Sequence, residues 1–149
     1  MKNLRLTVPI LMTALMAGCV VSLHPLYTEK NLVFDPALVG TWVDDDEDEQ
    51  WSFTRSGDKS YALVMKPKKG PAARFQAHLV QLGAYRFLDV FPEEPDVKNE
   101  YYEFHLIPAH SILRIQLRGD SLRRTILDED WLKRRISAQK LTIAHEVLG

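Results

Sequence analysis

From Val39 onward this chain consists of short apolar runs, broken by turn residues about every 8–12 positions. That rhythm limits the fold more than any other feature. A surface helix needs apolar residues at a period near 3.6, whereas alternation over a few residues places one face of a strand against a core. The runs are 39–44, 50–56, 60–66, 72–81, 84–91, 100–107, 111–118 and 121–127. Trp51 and Phe53 share a face, as do Tyr61, Leu63 and Met65, then Phe75, Ala77 and Leu79, then Tyr102, Phe104 and Leu106. Turn chemistry separates them at Gly57-Asp58, Pro67 to Pro71, Leu82-Gly83 and Gly119-Asp120, and the longest connection runs from Pro92 to Asn99. Glycine at the first central position of the 119–120 loop predicts a type II′ hairpin, which explains Arg118-Gly119-Asp120 better than an adhesion tripeptide does. After the runs, Asp128 is placed to cap a helix. Glu129 and Asp130 suit its first turn, Lys133, Arg134 and Arg135 its end, and Leu127 with Leu132 can form a hydrophobic staple. A short last strand is expected at about 141–147. Eight hairpin-linked strands bury their edges best by closing. The expectation is therefore an all-β fold: an eight-stranded antiparallel up-and-down barrel over 39–149, with one C-terminal helix and a short last strand.

The beginning of the chain has a different character. Lys2 and Arg5 precede the uncharged apolar stretch Leu6 to Met16, and the small residues Ala17 and Gly18 precede Cys19. This is the anatomy of a secretory signal peptide, too short to cross a bilayer as a helix. Met16-Ala17-Gly18-Cys19 resembles a bacterial lipobox. The resemblance implies cleavage between Gly18 and Cys19, attachment of the Cys19 thiol to diacylglycerol and acylation of the new amine. It divides the chain into a leader (1–18), a lipidated N-terminus and tether (19–38, with Pro25 and Pro36) and the barrel domain (39–149). Two or three acyl chains, at about 0.8 kcal/mol per buried CH2, anchor a protein stably. Val20 stands where an Asp would signal retention in the inner membrane. By the same resemblance, the address is the outer membrane of a bacterial envelope, facing the periplasm. Cys19 is the only cysteine, so the processed chain has neither a free thiol nor a disulfide.

Gly40-Thr41-Trp42, preceded by Phe34-Asp35, resembles the Gly-x-Trp signature of the lipocalins, and the order of strands, helix and last strand is similar to theirs. The resemblance implies a barrel enclosing an apolar small molecule, with no catalytic residues. The candidate ligand-lining residues are the inward Trp42, Trp51, Phe53, Tyr61, Phe75, Tyr102, Phe104 and Arg124. Arg124 enters through register: with a two-residue turn, Ile115 faces Arg124, Leu113 faces Ile126 and Leu117 faces Leu122, so the arginine shares the apolar face. A buried arginine needs a partner. Lipocalins resemble this arrangement in stacking a late arginine on the signature tryptophan, here Trp42. The aromatic bulk of the inward positions also fits a second reading, a filled barrel acting as a structural or protein-binding module of the envelope.

Charge and spacing exclude other classes. The leader holds two of the 19 Lys and Arg and none of the 20 Asp and Glu, which leaves the processed chain at 17 against 20, a net charge of −3. Such a balance argues against a nucleic-acid partner. The six acids Asp44 to Glu49 fail as a calcium loop, because Glu49 and Arg55 occupy the positions that need Gly and Glu, and they read as a solvated tip. His24, His78, His105, His110 and His145 lack metal-ligand spacing. Ser52, Ser56, Ser111 and Ser121 show no nucleophile elbow, and nothing brings Asp89 and Glu103 together as a carboxylate pair. The expectation is a non-enzyme without metal or cofactor, whose partners are the membrane that holds Cys19, an apolar ligand or an envelope protein. Changing Cys19 to Ala is expected to leave the precursor uncut or to release the product from membranes, read by detergent partitioning and N-terminal mass. Identical partitioning and an identical cut in parent and variant would refute the lipobox.

Overall fold

The computed structural model describes residues 21–93, 99–103, 105–127 and 129–138. The leader, Gly18 and Cys19, Phe104, the Asp128 cap and the expected strand at 141–147 lie outside the described residues.

Nine strands form one antiparallel sheet. Two are short pairings in the lead-in: β1 (Val21–Ser22) and β2 (Leu32–Val33). The other seven are β3 (Gly40–Val43), β4 (Glu49–Arg55), β5 (Tyr61–Pro67), β6 (Ala73–Leu82), β7 (Tyr85–Pro92), β8 (His110–Arg118) and β9 (Ser121–Ile126). Each pairs with the next, so they form an uninterrupted meander. The lead-in strands fill gaps along it. β2 pairs with the part of β6 that β5 does not reach, and β1 pairs with the start of β8, beyond the end of β9. A short 3-10 turn, Pro36–Leu38, is capped by Asp35, whose carboxylate accepts from the Ala37 N–H at 3.0 Å.

Two expectations need correction. The run 100–107 supplies no strand among its described residues; it opens as a short helix, α1 (Glu100–Glu103). Asn99 explains this: its side chain accepts from the Tyr101 N–H at 3.0 Å and its carbonyl from the Glu103 N–H at 3.2 Å. Such a cap satisfies donors at a helix start, and Pro108 has no N–H to give a ladder. With that strand lost, the eight-stranded barrel does not close. β3 pairs with β4 alone and β9 with β8 alone, so the sheet stays open between them.

The all-β pattern with a single longer helix, α2 (Glu129–Ser137), stands. Alternation divides the sheet into two apolar faces. One buries Trp51, Phe53, Tyr61, Leu63, Ala77, Leu79, Leu88, Val90 and Ile115, with Leu38 from the 3-10 turn. The opposite face buries Val80, Phe87 and Ile112 beneath Leu26 and Leu32 of the lead-in and Leu127, with Trp131 and Leu132 of α2 partly buried against them. Residues 21–38 are thus packed onto the sheet from Leu26 onward. A large apolar side chain gains roughly 1.5–3 kcal/mol on full burial, and β6 to β8 collect that gain on both faces. This is why their sequences run apolar on both parities, as in Phe87-Leu88 and Leu79-Val80.

The β8–β9 hairpin has the expected register: Leu113 faces Ile126, Ile115 faces Arg124, Leu117 faces Leu122 and Arg118 faces Ser121. Gly119 sits at φ +54°, where an added Cβ would meet no atom within 4 Å. The cost of a side chain there is backbone strain alone. Gly119→Ala is expected to lower stability by about 1–2 kcal/mol, seen as a lower denaturant midpoint at unchanged slope. An unchanged midpoint would show that the turn does not need its left-handed residue.

Candidate functional site

The inward aromatic residues are brought together, and they pack on one another. Phe53 stands edge-on to Tyr61 with ring centres 6.2 Å apart, Trp51 lies 6.2 Å from Phe53, and Phe34 stacks on Tyr61 at 4.9 Å. Trp42 and Phe75 are partly buried against the same cluster. The Trp42 indole donates to the Leu38 carbonyl at 3.0 Å. Tyr61 is fully buried, and its hydroxyl accepts from the Asp35 N–H at 2.7 Å while donating to the Asp35 carbonyl at 3.1 Å. Burial pushes the Tyr61 phenol up, against the opposing pull of its backbone hydrogen bond. The Asp35 carboxyl is held below its ordinary range by the Ala37 N–H and then by Arg86, whose Nη1 lies 2.6 Å from Oδ2. Phe34, Asp35 and Leu38 therefore plug one end of the concave face. The side chain of Tyr102 and all of Phe104 lie outside what is described.

Arg124 shares this interior as register predicts, with a different partner. Its guanidinium lies over Trp51, 4.1 Å from the ring centre, rather than over Trp42, and Nη1 donates to Glu49 Oε2 at 3.1 Å. Trp51 and Trp42 face each other across β4 and β3, so the expected tryptophan is one strand away. The contact joins β9 to β4 where no ladder does. It also shows how far the sheet curls, since the two strands are separated by four others in the hydrogen-bonded order. Beneath the guanidinium, the buried Trp51 Nε1 has no hydrogen-bond partner.

A second cluster on the opposite face went unpredicted. Asp89 is fully buried. Its Oδ1 lies 2.6 Å from His110 Nδ1, and its Oδ2 accepts from the Leu26 N–H at 2.6 Å. The His110 ring tilts against Phe91 at 4.5 Å, and His78, opposite Asp89 on β6, lies against Tyr27 at 4.3 Å. Burial lowers the His78 pKa, opposed by the Asp89 charge, so the neutral ring is favoured. Burial first, then Asp89, raises Tyr27. The available signal was one acid in the centre of the apolar run Phe87 to Phe91. An Asp–His pair can orient a general base, yet here both carboxylate oxygens hold protein groups, and no described hydroxyl bonds to His110. The cluster clasps the lead-in to the sheet.

The acidic tip also serves the backbone. Asp44 Oδ1 accepts from the N–H groups of Asp48 and Glu49 at 2.7 and 3.0 Å. Among the described residues no group of three His, Cys, Asp or Glu is placed to hold a metal ion. No protein-family model matches the chain, and neither curated proteins nor solved structures give a match. The Arg124–Trp51 stack is testable by Arg124→Ala, Trp51→Leu and the double variant in denaturant melts. A coupling of about 0.5–2 kcal/mol is expected; stability losses that simply add would refute the stack.

Proposed function

We propose that this chain is a lipid-anchored protein of the bacterial envelope, held through Cys19 at the outer membrane and facing the periplasm, and that its curved sheet is a filled binding or assembly module that works through its surface. The observation that carries this reading is the mutual packing of the inward residues: Phe53, Tyr61, Leu63 and Leu79 are each at most 1% exposed, in contact with the Leu38 plug. A side chain packed at interior density leaves no room beside it for a ligand. Depressions such as the one of about 390 Å³ beside Tyr85 and Arg114 open to solvent on the surface. Both faces of the central strands are spent on the protein's own core, and the hydroxyl of Tyr61 is spent on Asp35.

One observation favours the second reading, an apolar ligand with a polar head. The Trp51 indole N–H is buried without an acceptor, a loss of about 1–3 kcal/mol that a ligand oxygen or a water would recover. Arg124 stacks on the same ring. Native mass spectrometry of the mature lipidated protein, released from detergent, separates the two. The mass of the polypeptide with its own acyl chains is expected. A further stoichiometric lipid, lost in Trp51→Leu, would transfer the assignment to ligand carriage.

A further inference from the structure

We infer that the face built by β8 and α2 is a recognition site for a phosphate group, with Arg114 and Arg135 as its ligand-binding residues and Tyr85 and Trp131 as the platform that positions them. Arg114 lies over Tyr85 at 4.7 Å and within 5.9 Å of the Trp131 ring centre; Arg135 lies 5.6 Å from Tyr85 and 5.4 Å from Trp131. Tyr85 and Trp131 themselves meet edge to face at 5.8 Å. Two guanidinium groups share one aromatic pair, so their charges are within about 10 Å of each other. Both side chains are partly buried. Among the described residues, neither has an ion pair or a hydrogen bond.

Three physical facts point to an anion. Like charges this close repel, and partial burial weakens the screening that water would give. Each guanidinium carries five N–H donors in a planar fork that matches two phosphate oxygens. Stacking on a ring face consumes none of them. The rings also restrict both side chains, so little freedom remains to be lost on binding.

The surroundings agree. The β7 ladder ends at Arg86 opposite Ile115, while β8 runs on to Arg118, leaving a depression of about 390 Å³ in the notch. Its lining includes Tyr85, Arg114, Gln116 and Arg118 and contains no acid, so the depression adjoins the Arg114 side of the site, while Arg135 and Trp131 lie outside it. Arg86 also lines it but is neutralised: Nη1 meets Asp35, and Nε donates to Gln81 Oε1 at 3.1 Å. The acids of α2 stand in its first turn, and Arg134 and Arg135 in its last. The processed chain is acidic overall, so this concentration of arginines is a local feature rather than a general excess of positive charge.

The inference goes beyond the binding-module reading and is independent of the anchor. Phosphate reaches such a site either as a free phosphate ester or as a phospholipid headgroup, and the two arms of the test separate these sources. Thermal unfolding of the purified protein in non-ionic micelles, whether or not it carries acyl chains, is followed while inorganic phosphate replaces chloride at constant ionic strength. In parallel, phosphatidylglycerol or phosphatidylcholine is added to the micelles. The expected result is a saturable rise of several degrees with phosphate or with phosphatidylglycerol, abolished in Arg114→Gln and in Arg135→Gln and retained in Lys59→Gln, an exposed lysine in the β4–β5 connection. A response to inorganic phosphate assigns a free ester; a response to phosphatidylglycerol alone assigns a headgroup. No response in either arm, or equal responses in parent and arginine variants, overturns the site. Without anion, Arg135→Gln should unfold only slightly earlier than the parent, because relief of the repulsion from Arg114 offsets part of the lost ring contact. A large loss of stability in that variant would show a structural role instead and also overturn the inference.

Discussion

One buried carboxylate organises the opposite ends of this chain. Asp89 lies at the centre of β7, fully buried in an interior strand of a sheet covered on both faces. A charge there is costly unless every lone pair finds a donor. One oxygen meets His110 on the adjacent strand and the other the Leu26 amide, 63 residues away in sequence. The second bond requires the lead-in to lie across the sheet. Once it does, Leu26 and Leu32 can cover Val80 and Phe87, β2 can complete β6, and Asp35 can reach the hydroxyl of Tyr61. A segment that follows the proposed acylation site so closely would otherwise be a free strap. Here it is a layer of the fold.

The open seam between β3 and β9 follows from a different balance. Closing a sheet removes its edges, but the number of strands must suit the curvature. The Asn99 cap turns one expected strand into helix, and the meander is left with seven. What joins the two sides is a side chain. Arg124 spans from β9 to Trp51 and Glu49 on β4, neutralising a partly buried charge and covering the end of the concave face. Such a contact constrains curvature without the cooperativity of a ladder. It leaves the edges of β3 and β9 available, and Val43 and Ile126 are exposed there.

Local features were legible in the sequence to the extent that their causes are local. Strand alternation located β3 to β9 within one or two residues. Gly119 fixed the β8–β9 turn, and with it the inward position of Arg124, because a two-residue loop leaves a single register. The helix at 129–137 followed from charge placement and Leu132. Long-range contacts were harder to read. The alternation of 100–107 carried a strand signal as clear as any other, and only the hydrogen bonds of Asn99 show which structure wins. Trp51 rather than Trp42 received the arginine because stagger between distant strands is set by the curl of the whole sheet. The clasp could not be inferred because Asp89, His110 and Leu26 come from three segments whose meeting depends on the docked lead-in.

The two arginine stacks show how one interaction serves different ends. Over Trp51, the guanidinium of Arg124 has Glu49 beside it, so its charge is answered within the fold and the contact reads as structural. Over Tyr85 and Trp131 there are two guanidiniums and no described carboxylate on either. Aromatic faces attract cations by roughly 0.5–2 kcal/mol each, enough to hold the side chains in place, but they neither neutralise charge nor satisfy N–H donors. Two forks oriented on one aromatic pair present their N–H donors to an anion, as the proposed phosphate site requires. The interior, whose polar groups are largely paired, shows the opposite. In this chain the distribution of unanswered donors, more than the shape of the sheet, separates the surface that can recognise a partner from the core that supports it.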